Sequence, residues 1–278
     1  MTGFIDKFST LLKEKNSVLC VGLDPALPQQ REENVIPSSY LKGVDENTAR
    51  LNFCLDIIDQ VKDYAIAAKP NQQYVIGFTK QQHQKLTKII RDNGMLSILD
   101  YKLNDIGETI RSGIFHLTEC GYDAITFNPL PGNLAEAVYL AHNYAKKIRG
   151  YELGIIVLTL MSNPEAVKYM KEASVHGVPL FLKIADDVKN SGADGCVVGA
   201  TGHVTEDDIK NIRQRVGEDK VFLVPGVGMQ RGDPRKVIKA AGKNVMINIG
   251  RSIVYSCNPR ESAKHYCELF NRLRSVLC

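Results

Sequence analysis

The 278-residue sequence predicts a single (β/α)8 TIM barrel of the α/β class, and three observations carry that expectation. Eight short aliphatic and β-branched runs recur along the chain, each apolar without alternation, as parallel strands buried on both faces require. Stretches with helical spacing of apolar residues lie between them. No Pro-, Ser- or Gly-rich linker interrupts the pattern, so residues 1–278 read as one domain. An open, doubly wound sheet is the alternative architecture for the same alternation.

The elements follow in order. Residues 1–16 set Phe4, Ile5, Phe8, Leu11 and Leu12 among Asp6, Lys7, Lys13, Glu14 and Lys15. That is an amphipathic helix, expected to cap the bottom of the barrel, and too charged for a signal peptide. Strands are expected at 18–23, 65–69, 96–101, 124–127, 154–160, 195–199, 221–224 and 245–249. Helical spacing is clear at Leu51, Cys54, Leu55, Ile58 and Val61, at Leu134, Ala137, Val138 and Ala141, and at Ala263, Tyr266, Cys267, Phe270 and Leu273. Two connections are long, 25–45 and 161–178. Both would fall on the C-terminal face, where barrel active sites form.

Composition narrows the function classes. A hydrophobic share of 44% with 24% charged residues is ordinary for a globular chain and excludes disorder. The net charge of +4 is spread along the sequence, without the basic cluster and interleaved aromatics of a nucleic-acid binder. The longest apolar runs fall far short of the ~18 residues of a membrane span. Seven cysteines include no Cys-x-x-Cys pair, so no paired-cysteine zinc site is expected, and the chain reads as a reduced, cytoplasmic protein.

A barrel demands that chemistry cluster just after the strands, and polar residues do collect there. Asp24 follows the first strand, Lys69 ends the second, and the third runs into Asp100-Tyr-Lys102-Leu-Asn-Asp105. Thr126-Phe-Asn128, Met161-Ser162-Asn163, Pro225-Gly226-Val-Gly228-Met-Gln230 and Gly250-Arg251 follow later strands. Alternation along a strand puts Asp100 and Lys102 on one side, facing one cavity. Each residue also has a plainer role open to it. Asp100 and Lys102 could be a structural ion pair, Lys69 a surface lysine before Pro70, and Asp105 a helix cap with Glu108 completing a capping box. Taken together, Lys69, Asp100, Lys102 and Asp105 give alternating charge in one pocket. Flanking carboxylates keep a lysine protonated and able to deliver a proton, while a carboxylate beside a bound anion repels it. The glycines at 226, 228 and 232 let backbone approach an anion, and Asp233-Pro234 reads as a cap and first helical residue. With Arg251 nearby, the loops after the seventh and eighth strands are expected to hold a phosphate, although a plain glycine-rich turn is the alternative.

At Asp100-x-Lys102-x-x-Asp105-Ile106-x-x-Thr109 the sequence resembles the orotidine 5′-monophosphate decarboxylase family. Val21-Gly-Leu-Asp24-Pro25, Lys69-Pro70, Ser162-Asn-Pro164, Pro225-Gly226-x-Gly228-x-Gln230 and Gly250-Arg251 follow in the family's order, in the manner of its longer-loop branch. The resemblance implies a homodimeric barrel that converts orotidine 5′-monophosphate to UMP and CO2, with no metal and no organic cofactor. It implies that Asp100 lies against the substrate carboxylate, Lys102 protonates C6, and Lys69 anchors the charge network and ribose. Asp105, with Ile106 and Thr109, is implied to enter the partner's site. Asp24 would bind a ribose hydroxyl, Ser162 the pyrimidine, and Gln230 and Arg251 the phosphate, with Pro225, Gly226, Gly228 and Gly250 shaping that loop pair. Gln72-Gln73-Tyr74 departs from the family's more apolar pattern, and Asn128-Pro129 is expected to turn the chain. Two other readings compete: a metal-dependent sugar-phosphate decarboxylase or aldolase on the same barrel, which carries an acidic residue where Lys69 stands, and a phosphate-ligand sensor without turnover.

Overall fold

The computed structural model describes residues 3–229 and 232–277. Its eight long-range strands are β1 (Leu19–Leu23), β2 (Ala67–Pro70), β3 (Leu96–Leu103), β4 (Ala124–Phe127), β5 (Gly154–Leu160), β6 (Gly195–Val198), β7 (Val221–Pro225) and β8 (Val245–Ile249). All pair in parallel with their sequence neighbours. The sheet closes where β1 meets β8, with Leu19 opposite Ile247, Cys20 opposite Asn248 and Val21 opposite Ile249. Closure removes the doubly wound alternative.

Helix α1 (Phe4–Lys15) precedes the barrel, and each strand is followed by its own helix. These are α2 (Glu46–Val61), α3 (Lys80–Asp92), α4 (Gly107–Glu119), α5 (residues 134–149, with a π-helical turn at Leu140–Tyr144), α6 (Leu180–Ser191), α7 (Glu206–Val216), α8 (Pro234–Ala241) and α9 (Pro259–Leu277). Asp233 caps α8 by accepting from the Arg235 amide at 2.8 Å, with Pro234 as the first helical residue. Most strand limits fall within a residue of the sequence expectation, and the larger differences are at β2 and β3. Ala65 and Ile66 are buried but precede β2, and β3 continues past Tyr101 to Leu103. The long connection after β5 contains an unanticipated two-residue hairpin, Ser174–Val175 against Val178–Pro179.

Strand alternation divides the core in two. Outward residues such as Val21, Leu99, Phe127, Val157 and Phe222 pack beneath the helices in one continuous cluster. Inward residues Cys20, Ile66, Ala67, Leu96, Ile98, Ala124, Ile156, Leu158, Leu223 and Met246 form a second cluster inside the barrel, and Phe4 and Phe8 of α1 complete it from below. The amphipathic helix therefore does plug the bottom. Gly154 makes room for it, since a Cβ there would lie 2.7 Å from the Phe4 ring. Lys7 ties α1 to the barrel through Asp123 at 2.8 Å, and Asp123 also accepts from the Ser97 amide and hydroxyl, both at 2.9 Å. Gly195 serves the barrel wall, because a Cβ there would lie 2.1 Å from the Val221 carbonyl oxygen. Among the described residues no helix is long and apolar enough to cross a membrane.

With its floor filled by side chains, the barrel opens only at the C-terminal end of its strands. Phe8 is fully buried in that floor. Phe8→Ala is expected to destabilise the protein by about 3–5 kcal/mol, as large-to-small core substitutions of aromatics do. Denaturant unfolding at neutral pH measures it. A change under about 1 kcal/mol would show that α1 is only loosely laid on the barrel.

Candidate active site

The inward positions change character toward the top of the barrel, from the apolar floor to Lys69 on β2, Asp100 on β3 and Thr126 on β4. These residues, with Lys102, Ser162, Asn163 and Pro225, line a cavity of about 180 Å³ whose remaining wall is apolar, including Leu158, Met161, Val197 and Leu223. The strand-end register explains their convergence: Gly22 lies opposite Lys69, and the bridge Asn71 to Asp100 carries the β2–β3 pairing up to the rim.

Asp100 stands between two lysines. Its Oδ2 accepts from Lys69 Nζ and its Oδ1 from Lys102 Nζ, both at 2.6 Å. Thr126 Oγ1 adds a third donor to Oδ1 at 3.1 Å. Burial alone would push the Asp100 carboxyl up, but the Lys69 and Lys102 ammoniums, by charge and hydrogen bonding, hold it well below the usual carboxylate range. One charge at 4 Å is worth about 4 kcal/mol in a dielectric typical of protein surfaces. Burying an ion costs several kcal/mol, and the two ammoniums with their hydrogen bonds together outweigh it. Burial likewise pulls Lys69 down, while Asp100 and then Asp24 more than restore it, leaving its pKa above that of an ordinary lysine. Beneath Lys69, burial pushes the Cys20 thiol up to about 12, so the adjoining floor carries no charge at neutral pH. The three charged groups sum to one net positive charge in a half-enclosed cavity. An anionic ligand is favoured there.

Lys102 reaches Asp100 by a route that simple alternation does not describe. Leu99 pairs with Ile125 and Leu103 with Phe127, so the three residues Asp100, Tyr101 and Lys102 of β3 face the single residue Thr126 of β4. Within this bulge Lys102 adopts a φ of 57°, in the left-handed region that side chains other than glycine disfavour. Its amide donates to Thr126 Oγ1 at 2.9 Å. The sequence sets Thr126 among the polar residues at the strand ends without giving it a role, and its two bonds into the charge array are what the structure adds.

Asp105 lies outside this cavity. The capping-box alternative also fails, because Ile106 occupies the cap position of α4 without a side-chain bond, and Asp105 Oδ1 instead accepts from the Ile106 amide at 2.9 Å. Asn133 holds the Asp105 carbonyl at 2.9 Å. Ile106, 61% exposed, and Thr109, also exposed, stand on the same outer surface beside it. One chain thus brings together three members of the expected charge array and presents the fourth outward.

Asp24 follows β1, where its carbonyl accepts from the Tyr255 hydroxyl at 2.7 Å and its carboxylate lies 3.8 Å from Arg31. Arg31 donates to the Tyr74 hydroxyl at 3.1 Å and stacks 4.6 Å from that ring's centre, which gives Tyr74 of the Gln72-Gln73-Tyr74 stretch a partner. Asn128 Oδ1 accepts from the Leu130 amide at 3.2 Å, so it does turn the chain. Asn128 also borders a second, mostly apolar cavity of about 260 Å³ that shares Leu158, Met161 and Asn163 with the wall of the first.

The glycine loop after β7 and the start of the short helix Arg251–Val254 adjoin. Gly226 takes a φ of 102° and accepts from the Gly232 amide at 2.9 Å, and a Cβ on Gly228 would lie 3.1 Å from Ser252 Oγ. Gly250 caps that helix and packs against β1, 3.5 Å from the Gly22 carbonyl to its missing Cβ. Arg251 is exposed at this rim. Gln230 lies outside the described residues.

Comparisons with known proteins identify the family and the fold. A family model for the orotidine 5′-phosphate decarboxylase / HUMPS family matches residues 17–266. An orotidine 5′-phosphate decarboxylase of Cupriavidus necator is 33% identical over 274 residues, covering 94% of this chain and 92% of that protein. One of Herpetosiphon aurantiacus is 34% identical over 260 residues, covering 91% and 90%. The solved structure of Leishmania donovani OMP decarboxylase superimposes with a TM-score of 0.76 at 25% identity, over 99% of each chain.

Because the folded pKa of Asp100 lies below its unfolded value, its charge stabilises the fold at pH values above the ordinary carboxylate range. That contribution fades only as the pH falls toward the depressed value. Asp100→Asn leaves Lys69 buried without its main counter-charge and is expected to cost about 3–5 kcal/mol at pH 7, read by denaturant unfolding. Unchanged stability would mean that the pair is not electrostatically coupled.

Proposed function

The chain belongs to the orotidine 5′-phosphate decarboxylase family and converts orotidine 5′-monophosphate to UMP and CO2 in pyrimidine nucleotide synthesis, and we propose that the Lys69–Asp100–Lys102 array carries out the reaction. The observation that carries this proposal is the Asp100 carboxylate, kept ionised between two ammoniums at the mouth of the barrel.

The net positive array draws the anionic substrate in, with its carboxylate seated against Asp100. Two carboxylates in contact repel each other, and loss of CO2 relieves that repulsion. When the C6–carboxylate bond breaks, its electron pair stays on C6. Lys102, freed from one oxygen of Asp100, delivers a proton to that carbon, which completes UMP and leaves a neutral amine to be reprotonated from solvent. Lys69 stays on the other oxygen and holds Asp100 in place, within reach of the ribose side of the cavity. Asp24 binds a ribose hydroxyl and Ser162 the pyrimidine.

The phosphate lies at the rim formed by Pro225, Gly226, Gly228, Gly250 and Arg251, with Gln230 from the same loop. Its contacts lie away from the reacting carbon, so their binding energy can hold the reacting end in place. Two copies of the chain form the working unit, each sending Asp105, Ile106 and Thr109 from its own outer surface into the other's site. The exposure of Ile106 and Thr109 beside the half-buried Asp105 supports this arrangement. No step in this scheme calls on a metal ion or an organic cofactor.

Loss of the orotate absorbance on mixing orotidine 5′-monophosphate with the purified chain, unchanged by EDTA and yielding UMP, is the expected result. Binding without turnover would instead indicate a silent phosphate-ligand barrel. Lys102→Ala is expected to lower kcat by orders of magnitude while UMP still binds, and near-normal turnover would remove Lys102 from the proton-donor role. Arg251→Ala is expected to weaken UMP binding by about 2–3 kcal/mol, the range for a lost charged hydrogen bond. An unchanged affinity would place the phosphate elsewhere.

A further inference from the structure

Thr126 sits on β4 between Ile125 and Phe127, both turned outward beneath the helices, so its side chain points into the barrel beside Asp100. It is 1% exposed. Its hydroxyl makes two bonds, to the Lys102 amide at 2.9 Å and to Asp100 Oδ1 at 3.1 Å. The proton's place follows from the partners. An ionised carboxylate only accepts and a backbone N–H only donates, so the hydroxyl must donate to Asp100 while accepting from Lys102. A single oxygen therefore links the backbone of one member of the charge array to the side chain of another.

The link falls at the one irregular point of β3. Between Leu99 and Leu103 the strand bulges against β4, and Lys102 holds a left-handed φ of 57° that its side chain disfavours. Such a conformation persists only where surrounding bonds over-determine it. Within the bulge the Lys102 amide finds its partner in a side chain, Thr126, and the hydroxyl is too deeply buried to trade that bond for water. The same hydroxyl donates to the Asp100 oxygen that Lys102 also holds, while the other oxygen takes Lys69.

We propose that Thr126 is a positioning residue for the decarboxylation: its hydroxyl locks the strained backbone that aims Lys102 and fixes the plane of Asp100 against the incoming carboxylate. It touches the reacting groups only through these two residues. The inference rests on the roles proposed above for Asp100 and Lys102. A threonine that merely filled the barrel wall would be replaced without loss by valine, which has the same shape and lacks the hydroxyl. A clamp would be lost with valine and kept with serine.

The test compares Thr126→Val, Thr126→Ser and Lys102→Ala with the unaltered protein, measuring kcat for orotidine 5′-monophosphate and the dissociation constant of UMP. Thr126→Val is expected to lower kcat by roughly ten- to hundredfold, the scale of loss for a reacting group misplaced by about 1 Å. UMP affinity should stay within about threefold, because ground-state binding does not require the aimed lysine. Thr126→Ser should retain kcat within about threefold of the unaltered protein. Turnover by Thr126→Val within about twofold of normal, or equal losses in the valine and serine forms, would overturn the proposal. Should Thr126→Val not fold, Thr126→Ala against Thr126→Ser gives the same decision: loss in alanine alone supports the clamp, and equal rates overturn it. Lys102→Ala separates the two levels. Full activity there would overturn the reading of Lys102 itself, whereas its loss beside a fully active Thr126→Val would overturn only the clamp.

Discussion

The site depends on one carboxylate shared between two ammoniums. Asp100 is mostly buried, and burial by itself would favour its neutral form; with Lys69 on one oxygen and Lys102 on the other, the charged form wins. Its sign then sets the rest. Lys69 can remain buried and charged only because Asp100 and Asp24 face it, and the cavity carries a net positive charge only because two lysines share one strong acceptor. If Asp100 is removed, Lys69 keeps only the more distant charge of Asp24 and Lys102 loses its carboxylate partner.

The barrel makes such an arrangement affordable in a chain with a large apolar interior. Strand alternation sends one set of residues under the helices and the other into the lumen. Along the lumen the side chains run from Phe4, Phe8 and Leu96 at the floor to Lys69, Asp100 and Thr126 at the rim. The apolar floor excludes water from below, which strengthens every charge interaction above it. The long connections after β1 and β5 then roof the same end, one bringing Arg31 to Asp24 and the other bringing Ser162 to the cavity. Stability resides at one end of the barrel and chemistry at the other, so substitutions in α1 and at the rim have separable effects.

Much of this was legible in the sequence because parallel strands buried on both faces leave unbroken apolar runs. The floor helix was legible for a similar reason, since Phe4, Phe8, Leu11 and Leu12 share one helical face. Periodicity could not convey the bulge in β3. Alternation placed Asp100 and Lys102 on one side, but the structure joins them through a left-handed residue that no pattern of apolar and polar positions encodes. Asp105 showed the opposite error. Its spacing to Glu108 imitates a capping box, yet Ile106 takes the cap position and Asp105 turns to the Ile106 amide. Thr126 was visible at its strand end but carried no role there, because threonine suits a strand whether or not its hydroxyl has work. The short hairpin at 174–179 carries too few residues for any period to register.

The most direct test of the central interaction is a pH titration of Asp100 in the folded protein, followed by the carbonyl-carbon NMR signal of labelled aspartate and assigned by comparison with Asp100→Asn. The paired arrangement requires the Asp100 signal to remain that of a carboxylate through and below pH of about 4, where ordinary aspartates protonate. It should also rise toward the ordinary range in Lys69→Met, where one of the two ammoniums is gone. An Asp100 that protonates near pH 4 or above in the unaltered protein would contradict the account, because the carboxylate would then not be held by both lysines.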